Sequence, residues 1–484
     1  MISAPQRGLD ERLARAEERA LPWLAGFAVL LALQISPLWY ATPDGAAYLS
    51  IARGIAAGGP LARLGDAQLG FPIGYPLLIS PVFLAGARPF MLLALVHWLL
   101  AVVFMVGVYR WTRQYIGTGA LWVTGLVMAN VNVWNLYRRT LSEAAFLAVM
   151  IWTVNGLNRA LTEPTARRAG ASMPMLVAAA ALPLLSAIRE VGVLFGAGFV
   201  LALLARVPRR AMTWQAATLP LLVCIAVIPV AALVIRPERL AAAGPAFAGH
   251  LAGYADAGDA IGASLGARLH LRMTEIGQLL VPGMFKAYGS GWIDINTLIY
   301  APLLAAVSYG WWKFLRRSGE VFAFTAPLYL GLHLAWPYAA GSRYLLPLVP
   351  LLFVCLWTAC APLRHTRRVL FAGLLVAHVG VAAGYWLAID APRARACDRD
   401  WPALEQLGAR LRADARPILA AGVPGCVAPM LELVVDRPVQ WSHDGAAVDA
   451  GVHWLLLPDH AAPVGGFAPG PGAAGGYRLL ERDG

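Results

Sequence analysis

The chain has 484 residues, a net charge of +12 and only 14% charged side chains, with a mean hydropathy of +0.61. That balance excludes an ordinary soluble globule of this length, in which roughly a quarter of the residues carry charge. It also excludes a nucleic-acid footprint, because the basic residues fall in separate short clusters (Arg110/Arg113, Arg159/Arg167/Arg168, Arg206/Arg209/Arg210, Lys313/Arg316/Arg317, Arg364/Arg367/Arg368) rather than in one patch.

These clusters recur in every second loop between apolar runs, the positive-inside pattern of a multi-pass membrane protein. Candidate spans are Leu21–Tyr40, Phe90–Tyr109, Gly119–Leu136, Ser142–Leu161, Met173–Ile188, Val191–Ala205, Trp214–Ile235, Thr297–Leu315, Val321–Pro337, Tyr344–Ala361 and Val369–Ile389. That makes about eleven transmembrane helices, each near the roughly 20 residues a bilayer requires. The expected organisation is a cytoplasmic segment over 1–20, a membrane domain over 21–389 with outer loops at 41–89 and 236–295, and a soluble extracytoplasmic domain over 390–484. Met1–Ala20 lacks the small-residue cleavage site of a removable signal.

Just beyond the first span lies Thr42-Pro43-Asp44-Gly45. Thr42 reads as a helix cap, Pro43 as the first helical residue and Asp44 as an acid favoured by the positive end of the dipole. A carboxylate there also suits an outer membrane edge, where it can take a proton from a nucleophile or hold a cation. Tyr48, Ile51, Ala52 and Ile55 follow as an apolar stripe at helical spacing, the pattern of a helix lying in the interface plane. The loop closes with the turn-rich Gly70-Phe71-Pro72-Ile73-Gly74-Tyr75-Pro76.

Glu143, in Arg138-Arg139-Thr140-Leu141-Ser142-Glu143, reads either as an acid in a first helical turn or as part of an acid/base and phosphate-binding cluster with Arg138 and Arg139. Arg189 and Glu190 either pair with each other or mark an ionisable functional site at membrane depth. The outer segment 236–295, about 60 residues, exceeds an ordinary connection; its Lys286 and Tyr288 are candidates for head-group binding. Arg343, in Gly341-Ser342-Arg343-Tyr344-Leu345-Leu346-Pro347, reads as a snorkelling arginine or as a phosphate ligand.

The tail is expected to be a small α/β domain, with a helix over Trp401–Ala413 and strands over Pro417–Ala421, Leu431–Val435 and His453–Leu457, ahead of a Gly/Pro-rich run at Gly465–Gly476. Cys397 and Cys426 are able to form a disulfide if the tail is extracytoplasmic, and sequence does not decide the pairing. Cys224, Cys355 and Cys360 lie in apolar runs as packing residues. The histidines form no metal signature. No cofactor is required, and a divalent cation held by Asp44 and Glu143 is compatible with the sequence but not indicated.

In this order, the motifs resemble those of the GT-C glycosyltransferases, within the branch of protein O-mannosyltransferases and lipid A aminoarabinose transferases. Asp44 with Tyr48 and Ala52-Arg53-Gly54 resembles the first-loop pattern. Gly74-Tyr75-Pro76-Leu77-Leu78 is similar to the GYP-apolar stretch, Ser142-Glu143 to the acid opening the fourth span, and Arg343-Tyr344-Leu345-Leu346-Pro347 with Pro350 to a late RYLLP segment. Two features depart from that branch: Asp44 has no neighbouring acid, and Glu143 stands where an Asp is usual.

The resemblance implies an inverting hexosyl- or pentosyltransferase of the bacterial inner membrane. It implies a polyprenyl-phosphate-linked sugar as donor and a lipid, glycan or protein as acceptor, with membrane lipids as surroundings and no nucleic acid. Asp44 and Glu143 would be catalytic. Arg343, Arg138, Arg139, Arg189, Glu190, Tyr48, Tyr75, Tyr344 and Lys286 would bind donor phosphate or substrate. A polytopic transporter or flippase of a polar lipid is the alternative, but the chain shows no repeated halves, and its acids sit at one membrane face rather than the midplane.

Overall fold

The computed structural model describes residues 20–59, 72–86, 88–162, 173–206, 265–282, 295–335, 341–412 and, with short gaps, 414–482. The expected span Trp214–Ile235, Lys286 and Tyr288 lie outside them. The chain divides into two compact units, one built mainly from residues 97–136 and 142–383 together with the start of the chain, the other from 35–96, 137–141 and 384–484.

The first unit is all-helical. It contains α1 (Ala20–Ala32), most of α4 (Phe90–Ile116), α5 (Ala120–Ala129), α6 (Val131–Leu136), α7 (Ser142–Thr162), α8 (Met173–Ile188), α9 (Val193–Arg206), α10 (Leu265–Leu280), α11 (Ile295–Ser318), α12 (Val321–Ala335), α13 (Val349–Ala359) and α14 (Arg364–Tyr385). Among the described residues, three helical segments are long and apolar enough to cross a bilayer: Phe90–Ala129, Ser342–Ala359 and Arg367–Leu411. Helix α7 packs on α8, α9 on α12, and α11 on α13. At Gly310 a Cβ would stand 1.9 Å from the Cys355 carbonyl oxygen, so α11 and α13 approach as closely as backbone permits. Trp111, Phe195 and Phe322 fill the core, Phe322 meeting both other rings in tilted contact, pairs worth about 0.5–1.5 kcal/mol each beyond burial.

Several expected boundaries move, each for a local reason. The first helix ends at Ala32 rather than near Tyr40, because Pro37 has no N–H to donate and disfavours helix at Ser36. The single span expected over Gly119–Leu136 is two helices broken at Asn130. The Asn130 carboxamide accepts the Asn132 N–H at 3.0 Å and donates to the Leu279 carbonyl at 2.6 Å, an alternative to the helical ladder. The span expected from Tyr344 begins as a 3₁₀ turn, Ser342–Leu348, since Pro347 and Pro350 cannot complete the α ladder. Arg110 and Arg113 are not in a loop: α4 carries them on its last turns.

The second unit holds α2 (Pro43–Ala56), α3 (Gly74–Ile79), α15 (Ala391–Leu411), α16 (Val427–Val435) and a five-stranded sheet. Strands β1 (Ile418–Ala421), β2 (Gln440–Ser442), β3 (Trp454–Pro458), β4 (Phe467–Ala474) and β5 (Tyr477–Arg482) run in the order β2-β1-β3-β5-β4. β1 is parallel to β2 and β3, while β5 is antiparallel to β3 and β4. Leu419, Leu455, Leu457 and Leu480 form the sheet's core.

The strand expected at Leu431–Val435 is the end of helix α16. Met430, Leu431 and Glu432 are good helix formers, and the helix stops at Asp436 in the left-handed region, φ 61°. The strand β4 emerges from the Gly/Pro-rich run, with an irregularity between Pro469 and Gly472 that suits a bulge. A disulfide joins Cys397 of α15 to Cys426 at the start of α16, Cα atoms 6.1 Å apart.

Candidate functional site

In the second unit, Asp44 occupies the first turn of α2 and is half-buried. Thr42 caps this helix: its hydroxyl accepts the Gly45 N–H at 3.0 Å, with Pro43 in the first turn. A Cβ on Gly45 would lie 2.7 Å from that hydroxyl and 3.3 Å from the Thr140 carbonyl oxygen, so the segment carrying Asp44 is seated tightly on residues 137–141. Trp39 reinforces the seat, its indole N–H donating to the Thr140 hydroxyl at 3.0 Å.

α2 is not the one-sided interfacial helix its stripe suggests. Every residue from Gly45 to Ala52 is buried, against α3 and α16 among others, the face opposite Tyr48 and Ile51 being that of Ala46, Leu49 and Ser50. Tyr48 meets Tyr75 of α3 edge-on, centroids 5.0 Å apart. Both rings are packed within the unit, Tyr75 fully.

Arg138 and Arg139 belong to this unit and are committed within it. Arg138 donates to Asp390 at 2.7 Å, with side chains 10% and 1% exposed, and its guanidinium lies over Trp386. Arg139 lies over the Tyr40 ring at 4.8 Å, and Arg393 covers the same ring at 5.4 Å. Asp390 closes a single π-helical turn, Trp386–Asp390, a local irregularity that re-aims side chains. Sequence reading overlooked Asp390, whose position at the expected end of the last span was the available signal.

The first unit assembles a different grouping. Glu143, in the first turn of α7, is 3% exposed. Its Oε1 lies 2.5 Å from Arg189 Nη1 and 3.8 Å from Arg343 Nε. Arg189 thus pairs with Glu143; Glu190 begins a short 3₁₀ turn and is exposed. The Tyr344 ring lies beside both guanidiniums, 5.2 Å from Arg189 and 4.8 Å from Arg343. Arg343 Nη2 also donates to the Tyr344 hydroxyl at 2.8 Å, and the Tyr344 carbonyl accepts from the buried Tyr329 hydroxyl at 2.8 Å.

Charge and exposure describe what this trio can do. Two guanidiniums and one carboxylate carry a net positive charge, and the Arg343 side chain is 36% exposed against 4% for Glu143. Planar guanidiniums held by a buried acid and an aromatic face are oriented for a phosphate.

The turn presenting Arg343 is itself held. Gly341 has φ 76°, a conformation side chains resist. Its N–H donates to Glu275 of α10 at 3.0 Å, and Glu275 is ion-paired with the buried Arg272. Ser342 donates to Asn132 at 3.1 Å. Glu275, Arg272 and Asn132 were not legible as site residues, although the Arg–x–x–Glu spacing on an amphipathic stretch of a long loop was a usable signal. Among the described residues no group of three or more His, Cys, Asp or Glu side chains is placed to hold a metal ion.

No protein-family model and no curated protein matches the chain. Solved structures do. The crystal structure of ArnT from Cupriavidus metallidurans bound to undecaprenyl phosphate is 11% identical, covering 95% of this chain and 97% of that one with a TM-score of 0.54. The same protein in the apo state is 12% identical over 96% and 98%, with a TM-score of 0.52. The Archaeoglobus fulgidus oligosaccharyltransferase tethered to an acceptor peptide is 12% identical over 91% and 69%, with a TM-score of 0.50. The fold of this chain is GT-C-like.

Proposed function

We propose that this GT-C-like chain is a membrane glycosyltransferase that moves a sugar, with inversion, from a polyprenyl-phosphate donor to a lipid, glycan or protein acceptor at the outer face of the membrane. The observation that carries the reading is the Arg189–Glu143–Arg343 trio, a net-positive grouping with one accessible guanidinium, in a fold shared with a protein solved with undecaprenyl phosphate bound.

In the proposed step an acceptor hydroxyl or amine attacks the anomeric carbon from the face opposite the phosphate. The sequence motif alone assigns the nucleophile's proton to the Asp44 carboxylate. The bond from the anomeric carbon to the phosphate oxygen breaks, and the leaving polyprenyl phosphate gains negative charge. Arg343, with Arg189 behind it, stabilises that charge as it develops. Glu143 holds the two guanidiniums in place, which fits its burial and its short pairing with Arg189. Tyr344 orients Arg343, and no cofactor enters the step.

The outward-facing assignment is supported by the basic clusters, which recur at alternate ends of the apolar runs along the sequence, and by the Cys397–Cys426 disulfide, a bond that persists in oxidising compartments. The test is mass spectrometry of glycolipids and surface glycans from a deletion strain complemented with wild type or Asp44→Asn at equal membrane levels. Wild type is expected to restore one glycoside and Asp44→Asn to restore none. Full restoration by Asp44→Asn rejects its role as base. Movement of a labelled lipid across the membrane without any glycoside product supports a transporter instead.

A further inference from the structure

Helices α1 and α4 of the first unit leave a groove between them that the transfer chemistry does not use. The Trp98 indole N–H donates to the Ala28 carbonyl at 2.9 Å, tying the two helices together. The groove has a volume of about 740 Å³. Leu24 and Ala25 of α1 and Val102 and Val106 of α4 line it, and the wall is overwhelmingly apolar.

At one end the lining changes. Residues 102, 106 and 109 of α4 continue at helical spacing into Arg110, Arg113 and Gln114, which meet Ala20 and Leu21 at the start of α1. The polar end is braced by α7: Arg110 lies over the Trp152 ring at 5.5 Å, and Gln114 donates to Asn155 at 3.1 Å. Arg110 and Gln114 are nevertheless exposed. Their end of α4 is also the end that the positive-inside pattern assigns to the cytoplasmic leaflet.

An apolar trough that ends in two guanidiniums at the membrane surface has the chemistry of a diacyl lipid with an anionic head group. We infer that the α1–α4 groove binds an anionic phospholipid of the cytoplasmic leaflet, its chains along Leu24, Ala25, Val102 and Val106 and its phosphate at Arg110 and Arg113. Uncharged Gln114 is placed to donate to a phosphate or glycerol oxygen. This inference does not rest on the proposed transferase activity, since it uses none of the residues assigned to it.

The test is native mass spectrometry of the full-length protein, delipidated and titrated with dioleoyl phosphatidylglycerol or dioleoyl phosphatidylcholine. Wild type is expected to bind the anionic lipid about 30-fold more tightly, the contribution of two arginines near a phosphate. Arg110→Gln/Arg113→Gln is expected to erase the preference while leaving weak binding of both lipids. Ala25→Trp, at an exposed position on the groove wall, is expected to remove the anionic adduct with both arginines intact. Equal binding of the two lipids by wild type overturns the inference, as does a preference that survives in either variant. Deletion of residues 1–19 that raises phosphatidylglycerol binding shows that this segment fills the groove and overturns it too. Displacement by equimolar undecaprenyl phosphate reassigns the groove to the donor, with the same consequence.

Discussion

Two of the buried ion pairs among the described residues look alike in one dimension and differ in what they leave over. Arg138 and Asp390 match one charge to one charge, with both side chains nearly inaccessible and the guanidinium covered by Trp386. Around Glu143, one buried carboxylate holds Arg189 and is approached by Arg343, whose side chain is more than a third exposed. The first arrangement is closed and serves as a brace. The second keeps positive charge in excess and one arginine within reach of a ligand. Burial of an arginine alone therefore does not make a charge available to a ligand; surplus charge with access does.

The contrast is broken most severely at the brace. Arg138→Ala leaves Asp390 buried without its partner, which is expected to cost about 3–5 kcal/mol, read as a fall in the unfolding midpoint in detergent. Transfer per folded molecule is expected to survive; its loss at an unchanged midpoint would move Arg138 into the site. Arg343→Ala is the mirror experiment. Its expected effect is a loss of transfer of about 100-fold or more with little change in midpoint, and Arg343→Lys should recover only part because a point charge replaces a planar fork. A large stability loss with normal transfer would make Arg343 a second brace.

A smaller effect comes from a buried acid that has neither role. Glu320 lies between α11 and α12, 1% exposed. Burial pushes its carboxyl up to about 7, against the opposing pull of hydrogen bonds from the Phe322 N–H and the Asn158 side chain. The folded chain therefore keeps a proton that the unfolded chain releases near the ordinary carboxylate value. This stability is fully present below that unfolded value and is lost as pH rises through about 7. The unfolding midpoint is expected to fall between pH 5 and pH 8 and to flatten in Glu320→Gln. An unchanged slope in the variant would assign the pH dependence elsewhere.

Much of the candidate site was legible because its local rules are short-range. Thr42-Pro43-Asp44 announces a capped helix, and α2 begins at Pro43. Ser142-Glu143 marks the start of α7, with the acid in its first turn. Gly341 before Ser342-Arg343 has positive φ, a turn signal that the sequence reading did not use. The partners were not legible. Arg189 was read beside its neighbour Glu190 and pairs with Glu143, 46 positions away by numbering. Arg138 was read with Glu143 and meets Asp390. Glu275 reaches Gly341 from α10.

Apolar length, the alternation of basic clusters and the residues able to cap or break a helix are written along the chain, because hydrophobic transfer and backbone hydrogen bonding act within a few turns. They pointed to a mostly helical chain with segments apolar enough to cross a bilayer, three of which stand among the described residues. Which guanidinium meets which carboxylate, whether α2 shows one face or is enclosed, and which arginine stays accessible belong to the tertiary arrangement. An ion pair depends on the separation of two charged groups in space, and residues far apart along the chain acquire that separation only when their helices pack.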